Sequence, residues 1–263
     1  MADADPAALP VLQAALARNR FLPVPPAARL TCGDGDFRSI GAEFLGHFVR
    51  HASLAPDERV LDLGCGVGRM ALPLTQYLGE AGSYHGLDVD APAIAWCDET
   101  IGARYPNFRF AALDVHHPIY HPAGGSRPEE LALPFPDGGF DVVLLVSVLT
   151  HLELPAVARY AAEASRMLAT GGRLFATAFL LNGPSRAGIA RGLARPPFPD
   201  RPDEAVLFAH PEAPLAAVAF DEDTLLRCFL AAGLRRVRPP AYGGWSGREH
   251  GAGFQDICVF EHA

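Results

Sequence analysis

The run Val60-Leu61-Asp62-Leu63-Gly64-Cys65-Gly66-Val67-Gly68-Arg69 decides how this chain is read. Residues 60–63 have the character of a buried strand end, and the Gly-x-Gly-x-Gly that follows predicts a tight turn into a helix. Glycine lacks a Cβ and tolerates φ > 0, so such a turn lets bare backbone approach a ligand. Asp62, immediately before the glycines, suits a ligand that brings an amino group and repels one that brings phosphates. The dinucleotide fingerprint G-x-G-x-x-G/A fits poorly. With Gly64 and Gly66 in its first two places the third falls on Arg69, while the third glycine stands at Gly68. A glycine turn alone also fits a plain strand-turn-helix, so the downstream residues must discriminate.

Outward from this turn, strands and helices alternate. Before it, residues 36–51 carry Phe37, Ile40, Phe44, Leu45, Phe48 and Val49 at helical spacing, and a shorter helix is expected over 7–20. After it, strands are predicted at 60–63, 83–87, 108–113, 140–146 and 173–179, with helices at about 67–79, from Asp90-Ala91-Pro92 onward, and at 154–168. Asp90 suits an N-cap and Pro92 a first turn. Strand 140–146 is continuous and branched, as in a strand buried on both faces. Residues 182–219 break the rhythm with Pro, Arg and Ala and read as an insertion, partly a lid. Asp221 caps a helix to about residue 232 that Gly233 stops. Strands at 234–238 and 254–260 close the chain. The first five strands should be parallel through right-handed crossovers, and the last two an antiparallel hairpin. The expectation is an α/β fold: a doubly wound, seven-stranded, mostly parallel sheet in a single domain over 1–263, with a helical cover at 1–55.

Composition narrows the function. The 263 residues are 49% apolar, enough for a sizeable core. The net charge of −8 argues against a generic nucleic-acid or anionic-membrane surface. All 22 basic residues are arginine, which removes Schiff-base chemistry, a lysine base and the P-loop lysine together. Five scattered cysteines without a C-x-x-C pair suit a reducing compartment. An acidic N-terminus without a leader-like pattern and no apolar run of membrane length lead to the expectation of a cytoplasmic protein. A monomer or homodimer is expected.

The chemistry lies at strand ends. Asp88 ends the second strand, where a carboxylate can accept ribose hydroxyls; the alternative is a helix cap, which Asp90 fits better. Asp114 ends the third, where it either meets the exocyclic amine of adenine or is an ordinary turn aspartate. Three acids at three successive strand ends, with the glycine turn at the first, are far more specific than any one alone. Trp245 and Arg248, in the loop between the last two strands, either meet substrate by stacking and anion binding or pack the hairpin. Phe37 and Arg38 could cover the pocket. Asp114, His116, His117 and His121 invite a metal reading, but His116 and His121 lack the i, i+4 spacing of two ligands on one helix face and Pro118 opposes a helix, so a loop, not a metal site, is expected.

Segments 60–70, 84–90, 110–115, 136–152 and 168–177 together resemble the Rossmann-like S-adenosylmethionine (SAM) dependent methyltransferase family. The resemblance covers about 36–182, and 220–262 in topology. It implies that Asp62, Gly64, Gly66 and Gly68 wrap the methionine part of SAM. Asp88 would hold the ribose, Val89 pack on adenine, Asp114 and Val115 face the adenine edge, and Ser147 lie near the sulfonium. Arg69 would reach the SAM carboxylate or stay a surface arginine. Asp36-Phe37-Arg38, Trp96-Cys97, residues 147–151 and 245–248 further resemble a bacterial subgroup linked to glycan or secondary-metabolite modification. The implied activity is methylation of a small molecule, first at a hydroxyl oxygen of a natural product or sugar, with S-adenosylhomocysteine as product. His151 would then be the base, or else a histidine that packs its loop. N- or S-methylation, aminopropyl transfer, a non-catalytic SAM-binding module and a dinucleotide oxidoreductase are the alternatives.

Overall fold

The computed structural model describes residues 8–29 and 35–263. By contacts the chain divides into two units: the part up to Leu113 with Phe140–Val142, and Asp114–Gly139 with Val143–Ala263.

In the first unit, helix α1 (Ala8–Arg18) and helix α2 (Phe37–Ala52) precede the first strand. The Asp36 side chain accepts from the Ser39 N–H at 2.8 Å and starts α2, a cap worth about 1 kcal/mol. Its apolar stripe buries Phe37, Leu45 and Phe48. Strand β1 (Arg59–Leu63), helix α3 (Ala71–Leu74), strand β2 (Ser83–Asp88), helix α4 (Ala91–Cys97) and strand β3 (Phe108–Ala112) follow. Strands β1, β2 and β3 pair in parallel, and the order continues β3-β2-β1-β4 into β4 (Phe140–Leu145). As expected, Asp90 caps α4 through the Ala93 N–H at 3.0 Å, with Pro92 in the first turn. The helix expected over 67–79 is only four residues long. Gly64, Gly66 and Gly68 at φ 89°, 51° and 74° keep the chain out of a helix until Met70.

In the second unit, β4 is followed by helix α5 (Leu154–Met167), strand β5 (Leu168–Leu181), helix α6 (Gly183–Ala190), strand β6 (Val206–Phe208), strand β7 (Val218–Asp221), helix α7 (Glu222–Ala231), strand β8 (Leu234–Arg236) and strand β9 (Asp256–His262). The order is β4-β5-β7-β6, with β9 antiparallel to both β5 and β8. The terminal antiparallel hairpin and the mostly parallel sheet are as read from the sequence; among the described residues the sheet has nine strands, not seven. The two added strands lie in and just after the 182–219 insertion. There β7 extends β5 in parallel through Phe179↔Ala219, and β6 pairs antiparallel with β7. This stretch has its own packed core, in which Ile189, Ala194, Phe198, Leu207 and Ala217 close around Phe179 and Trp245. Asp221 caps α7 through the Thr224 N–H, and Gly233 at φ 78° ends it. Among the described residues no helix is long and apolar enough to cross a membrane.

Candidate active site

In the first unit, Asp62 is fully buried. Its Oδ2 accepts the Tyr84 hydroxyl at 2.5 Å, and its buried Oδ1 has no partner. Burial pushes this carboxyl up to about 7, against the opposing pull of the Tyr84 bond. Register explains the partnership. Val60 faces Tyr84 and Asp62 faces Gly86, so Tyr84 lies on the face of β2 that meets Asp62, a relation legible from strand periodicity but missed. Gly86 is needed because a Cβ there would come within 2.8 Å of the Cys65 Sγ and the Phe110 ring.

The glycine turn is pinned from behind. The N–H groups of Gly64 and Cys65 both donate to the Leu87 carbonyl, at 2.7 and 3.0 Å. Asp88 accepts the Gly66 N–H at 2.7 Å and the Asp90 N–H at 2.9 Å. Burial raises its pKa while these backbone bonds oppose the rise. A Cβ on Gly68 would meet Ile101 at 2.9 Å and the Cys97 Sγ at 3.0 Å, whereas one on Gly66 would meet nothing within 4 Å. Gly68 thus serves packing, and Gly66 fronts open space. Val89 beside it is half-buried. The arrangement can take a ligand that lays polar groups along Gly66 and brings a cationic nitrogen to Asp62.

Phe37 is buried at the start of α2, under the Arg69 guanidinium, 5.5 Å from the ring centre. Arg38 donates to the carbonyls of Leu22 at 2.8 Å and Arg20 at 3.4 Å. Arg38 thus ties α2 to the segment after α1, and Phe37 lies buried beneath Arg69.

In the second unit, Ser147 follows β4 with φ 59°, a strained left-handed conformation for serine. Its N–H donates to Thr177 Oγ1 at 2.8 Å and its hydroxyl to Gln255 Oε1 at 3.2 Å, which also accepts from Thr177. Thr177 was not foreseen. Asp114 lies beyond β3 and is exposed. Its Oδ1 accepts from the Gly125 N–H at 2.9 Å and from His121 at 3.2 Å, bonds that hold the carboxyl below its usual range. Both bonds use Oδ1 and tie Asp114 to its own loop. Val115 is buried and bridges to Ser126.

His151 ends a short turn at Leu149–His151, and its Nδ1 meets the Leu215 carbonyl at 2.9 Å. A carbonyl only accepts, so Nδ1 carries the proton and Nε2 the lone pair. Burial lowers its pKa, with His117 adding to the fall and the Leu215 bond opposing it. This is a neutral imidazole with an open basic nitrogen.

Two expectations are corrected in the loop before β9. Trp245 is 1% exposed; its N–H donates to Asp256 at 2.7 Å, and its ring packs on Phe179 and Phe198. It fills the core and has no face left for a ligand. Arg248 lies over the Tyr242 ring, 4.3 Å from its centre, and donates to Asn182 Oδ1 at 2.8 Å. It braces the end of β5. Sequence pattern cannot separate a buried tryptophan from a stacking one when both sit in a glycine-rich loop.

Residues 61–176 match the family described as methyltransferase domain. Over this stretch the chain is similar to methyltransferase domains. The stretch begins inside β1 and ends inside β5, so it contains the glycine turn, Asp88, Asp114, Ser147 and His151. Over 137 residues the chain is 30% identical to an arsenite methyltransferase of Aquipseudomonas alcaligenes, a match covering 52% of this chain and 37% of that one. The chain spans about half or less of the length of the curated relatives it matches. A SAM-dependent methyltransferase of Methanosarcina mazei superposes with a TM-score of 0.54 at 20% identity, over 81% of this chain and 96% of that one. A geranyl diphosphate methyltransferase, solved with GPP and sinefungin, superposes with a TM-score of 0.54 at 14% identity, over 86% and 79%. The chain thus has the Rossmann-like methyltransferase fold.

Proposed function

We propose that the chain is a SAM-dependent methyltransferase acting on a small-molecule acceptor, first of all at a hydroxyl oxygen. The observation that carries this reading is the fully buried Asp62 with one oxygen lacking a partner, beside a glycine turn whose middle residue fronts open space. A buried carboxylate without a partner is costly, and a cationic amino group supplies what it lacks. The residues therefore fit SAM. Asp62 would take the methionine ammonium, with Gly64, Gly66 and Gly68 along the methionine chain. Asp88 would accept the ribose hydroxyls with the lone pairs that its two backbone bonds leave over, and Val89 would pack on adenine. Asp114 Oδ2 and the Val115 backbone would meet the adenine edge, and Ser147 would lie near the methionine.

SAM, when bound, supplies a methyl group already activated on sulfonium. The protein's part is alignment, exclusion of water and removal of a proton. The His151 Nε2 lone pair would accept that proton from the acceptor hydroxyl, with Nδ1–H held on Leu215 while the ring becomes cationic. The 182–219 insertion would shield the acceptor side, in the manner of a natural-product or glycan-modifying subgroup.

An arsenite methyltransferase among the relatives raises a metalloid acceptor as a second reading. Soft metalloids bind thiolates, yet Cys65 and Cys97 are buried, hydrogen-bonded to the Gly66 carbonyl and pushed toward the neutral thiol by burial. The oxygen reading is favoured.

Calorimetric titration with S-adenosylhomocysteine tests the cofactor. Micromolar binding that Asp88→Ala abolishes supports it, and no binding by folded wild type overturns it. His151→Gln should keep that affinity while abolishing turnover. Turnover kept at the wild-type rate would remove His151 from the chemistry, and tight binding without turnover on any acceptor pool would favour a binding module.

A further inference from the structure

His151 is held from two directions. One is the Leu215 carbonyl on its ring. The other, which the methyltransferase reading does not use, is His117, in the loop after β3, whose Nε2 lies 2.9 Å from the backbone carbonyl of His151. The tautomer of His117 follows from its neighbours. Its Nδ1 faces the N–H groups of Ile119 at 3.2 Å and Tyr120 at 3.3 Å, which can only donate. Nδ1 is therefore the acceptor, and the proton sits on Nε2, where it donates to the His151 carbonyl.

The same loop also reaches the ring of His151. Tyr120 stands edge-on to it, centroids 5.5 Å apart at 86°, and lies against the His117 ring at 4.7 Å. The loop is closed on itself by a pair of backbone bonds between His117 and His121, at 3.0 and 2.9 Å. Burial keeps the His117 ring neutral, and the nearby His116 adds to that; a protonated His117 would lose both bonds at Nδ1. A neutral, buried imidazole thus grips the backbone of His151, whose own Nε2 carries the lone pair.

We propose that His117 is a positioning residue: by its bond to the His151 carbonyl, with Tyr120 against the ring, it holds the His151 imidazole on Leu215 so that Nε2 stays the unprotonated, outward nitrogen. The proposal rests on the reading of His151 as the base, and it adds the residue that fixes that base in its working tautomer. The role needs a donor at Nε2 of His117 and not its basicity. A glutamine carboxamide, which carries an N–H donor on a chain of similar reach, should substitute; leucine, of similar bulk but with no donor, should not.

The test reads the His151 ring nitrogens in long-range proton–nitrogen-15 spectra of the full chain, with the signal assigned by its loss in His151→Gln. Wild type is expected to show one neutral tautomer, with the proton on Nδ1. His117→Leu is expected to give a mixture of both tautomers, with at least about a threefold drop in their ratio, while S-adenosylhomocysteine affinity stays as in wild type. His117→Gln is expected to restore the single tautomer. A folded His117→Leu with His151 unchanged overturns the positioning role and leaves the base reading standing. Wild-type His151 with its proton on Nε2 overturns both. Should His117→Leu fail to fold, His117→Gln decides alone: a retained single tautomer supports the proposal and a mixture overturns it.

Discussion

If Asp62 takes the cofactor ammonium as proposed, cofactor affinity depends on pH in a calculable way. The Asp62 carboxyl titrates at about 7 because it is buried with a single donor, the Tyr84 hydroxyl. At pH 6 about one molecule in ten then carries the charge that a ligand ammonium requires, and at pH 8 about nine in ten do. If the bound ammonium holds the carboxyl ionised, affinity for S-adenosylhomocysteine rises about tenfold between pH 6 and pH 8, and binding at pH 7 releases about half a proton. Calorimetry at pH 6, 7 and 8, in two buffers of different ionisation enthalpy, measures both quantities. Asp62→Asn keeps the shape and can still accept from Tyr84, but it has no charge to develop. It should bind about tenfold more weakly at pH 8 and show no slope attributable to this site, which also controls for titration of the ligand itself. A flat wild-type affinity across this range, or a slope that survives in Asp62→Asn, would refute the placement of the ammonium at Asp62.

The same group acts on the stability of the ligand-free protein, with a fixed sign. Its folded pKa lies above the unfolded value of about 3.9, so its contribution is fully present below pH 4, declines as pH rises, and is lost once pH has passed about 7. The full span is of the order of 4 kcal/mol, of which about 3 kcal/mol is read as a fall in urea midpoint from pH 5 to pH 8 that Asp62→Asn abolishes. Gly68→Ala, which drives a Cβ into Ile101 and Cys97 at positive φ, should cost about 2–3 kcal/mol and lower the melting temperature. Gly66→Ala meets only open space, so it should cost about 1 kcal/mol in stability yet abolish S-adenosylhomocysteine binding; unimpaired binding would sink the placement of the ligand along Gly66. Trp245→Phe removes the N–H to Asp256 and part of a packed ring, so it should destabilise by about 2 kcal/mol; an unchanged denaturation midpoint with a raised acceptor KM would restore Trp245 to the substrate site.

What could be read from the sequence was whatever depends on one local rule. The glycine turn needs φ > 0, Asp90 and Asp221 cap helices with side chains three residues from their partners, and Gly233 stops α7. Strands β1 to β5 follow from apolar runs between such signals. What could not be read depends on partners distant in sequence. Strands β6 and β7 have three and four residues, too short to show alternation, and exist because β7 can pair with the far end of β5. Phe37, Arg38, Trp245 and Arg248 have side chains equally suited to ligand and to core, and their neighbours chose the core. The loop with His117 reads as a cluster of histidines; only the position of the His151 carbonyl shows which one matters.

Asp62 and Asp256 show what separates a binding carboxylate from a structural one. Both are buried, and burial raises the pKa of each. Asp256 accepts three donors, the N–H groups of Leu180 at 2.8 Å, Gly243 at 2.7 Å and Trp245 at 2.7 Å, which use both its oxygens. It ties the end of β5 to the loop before β9 and asks nothing of a ligand. Asp62 has one donor and one oxygen with none. Around it the backbone is already committed, with Gly64, Cys65 and Gly66 N–H groups bonded and the Gly68 N–H on the Cys65 carbonyl at 3.0 Å. The buried Asp62 Oδ1 beside that turn is therefore open to a donor or a positive charge. Removing the charge should divide the two residues cleanly. Asp256→Asn strands a carboxamide N–H among donors and should cost stability first, whereas Asp62→Asn relieves a buried charge and should cost affinity first.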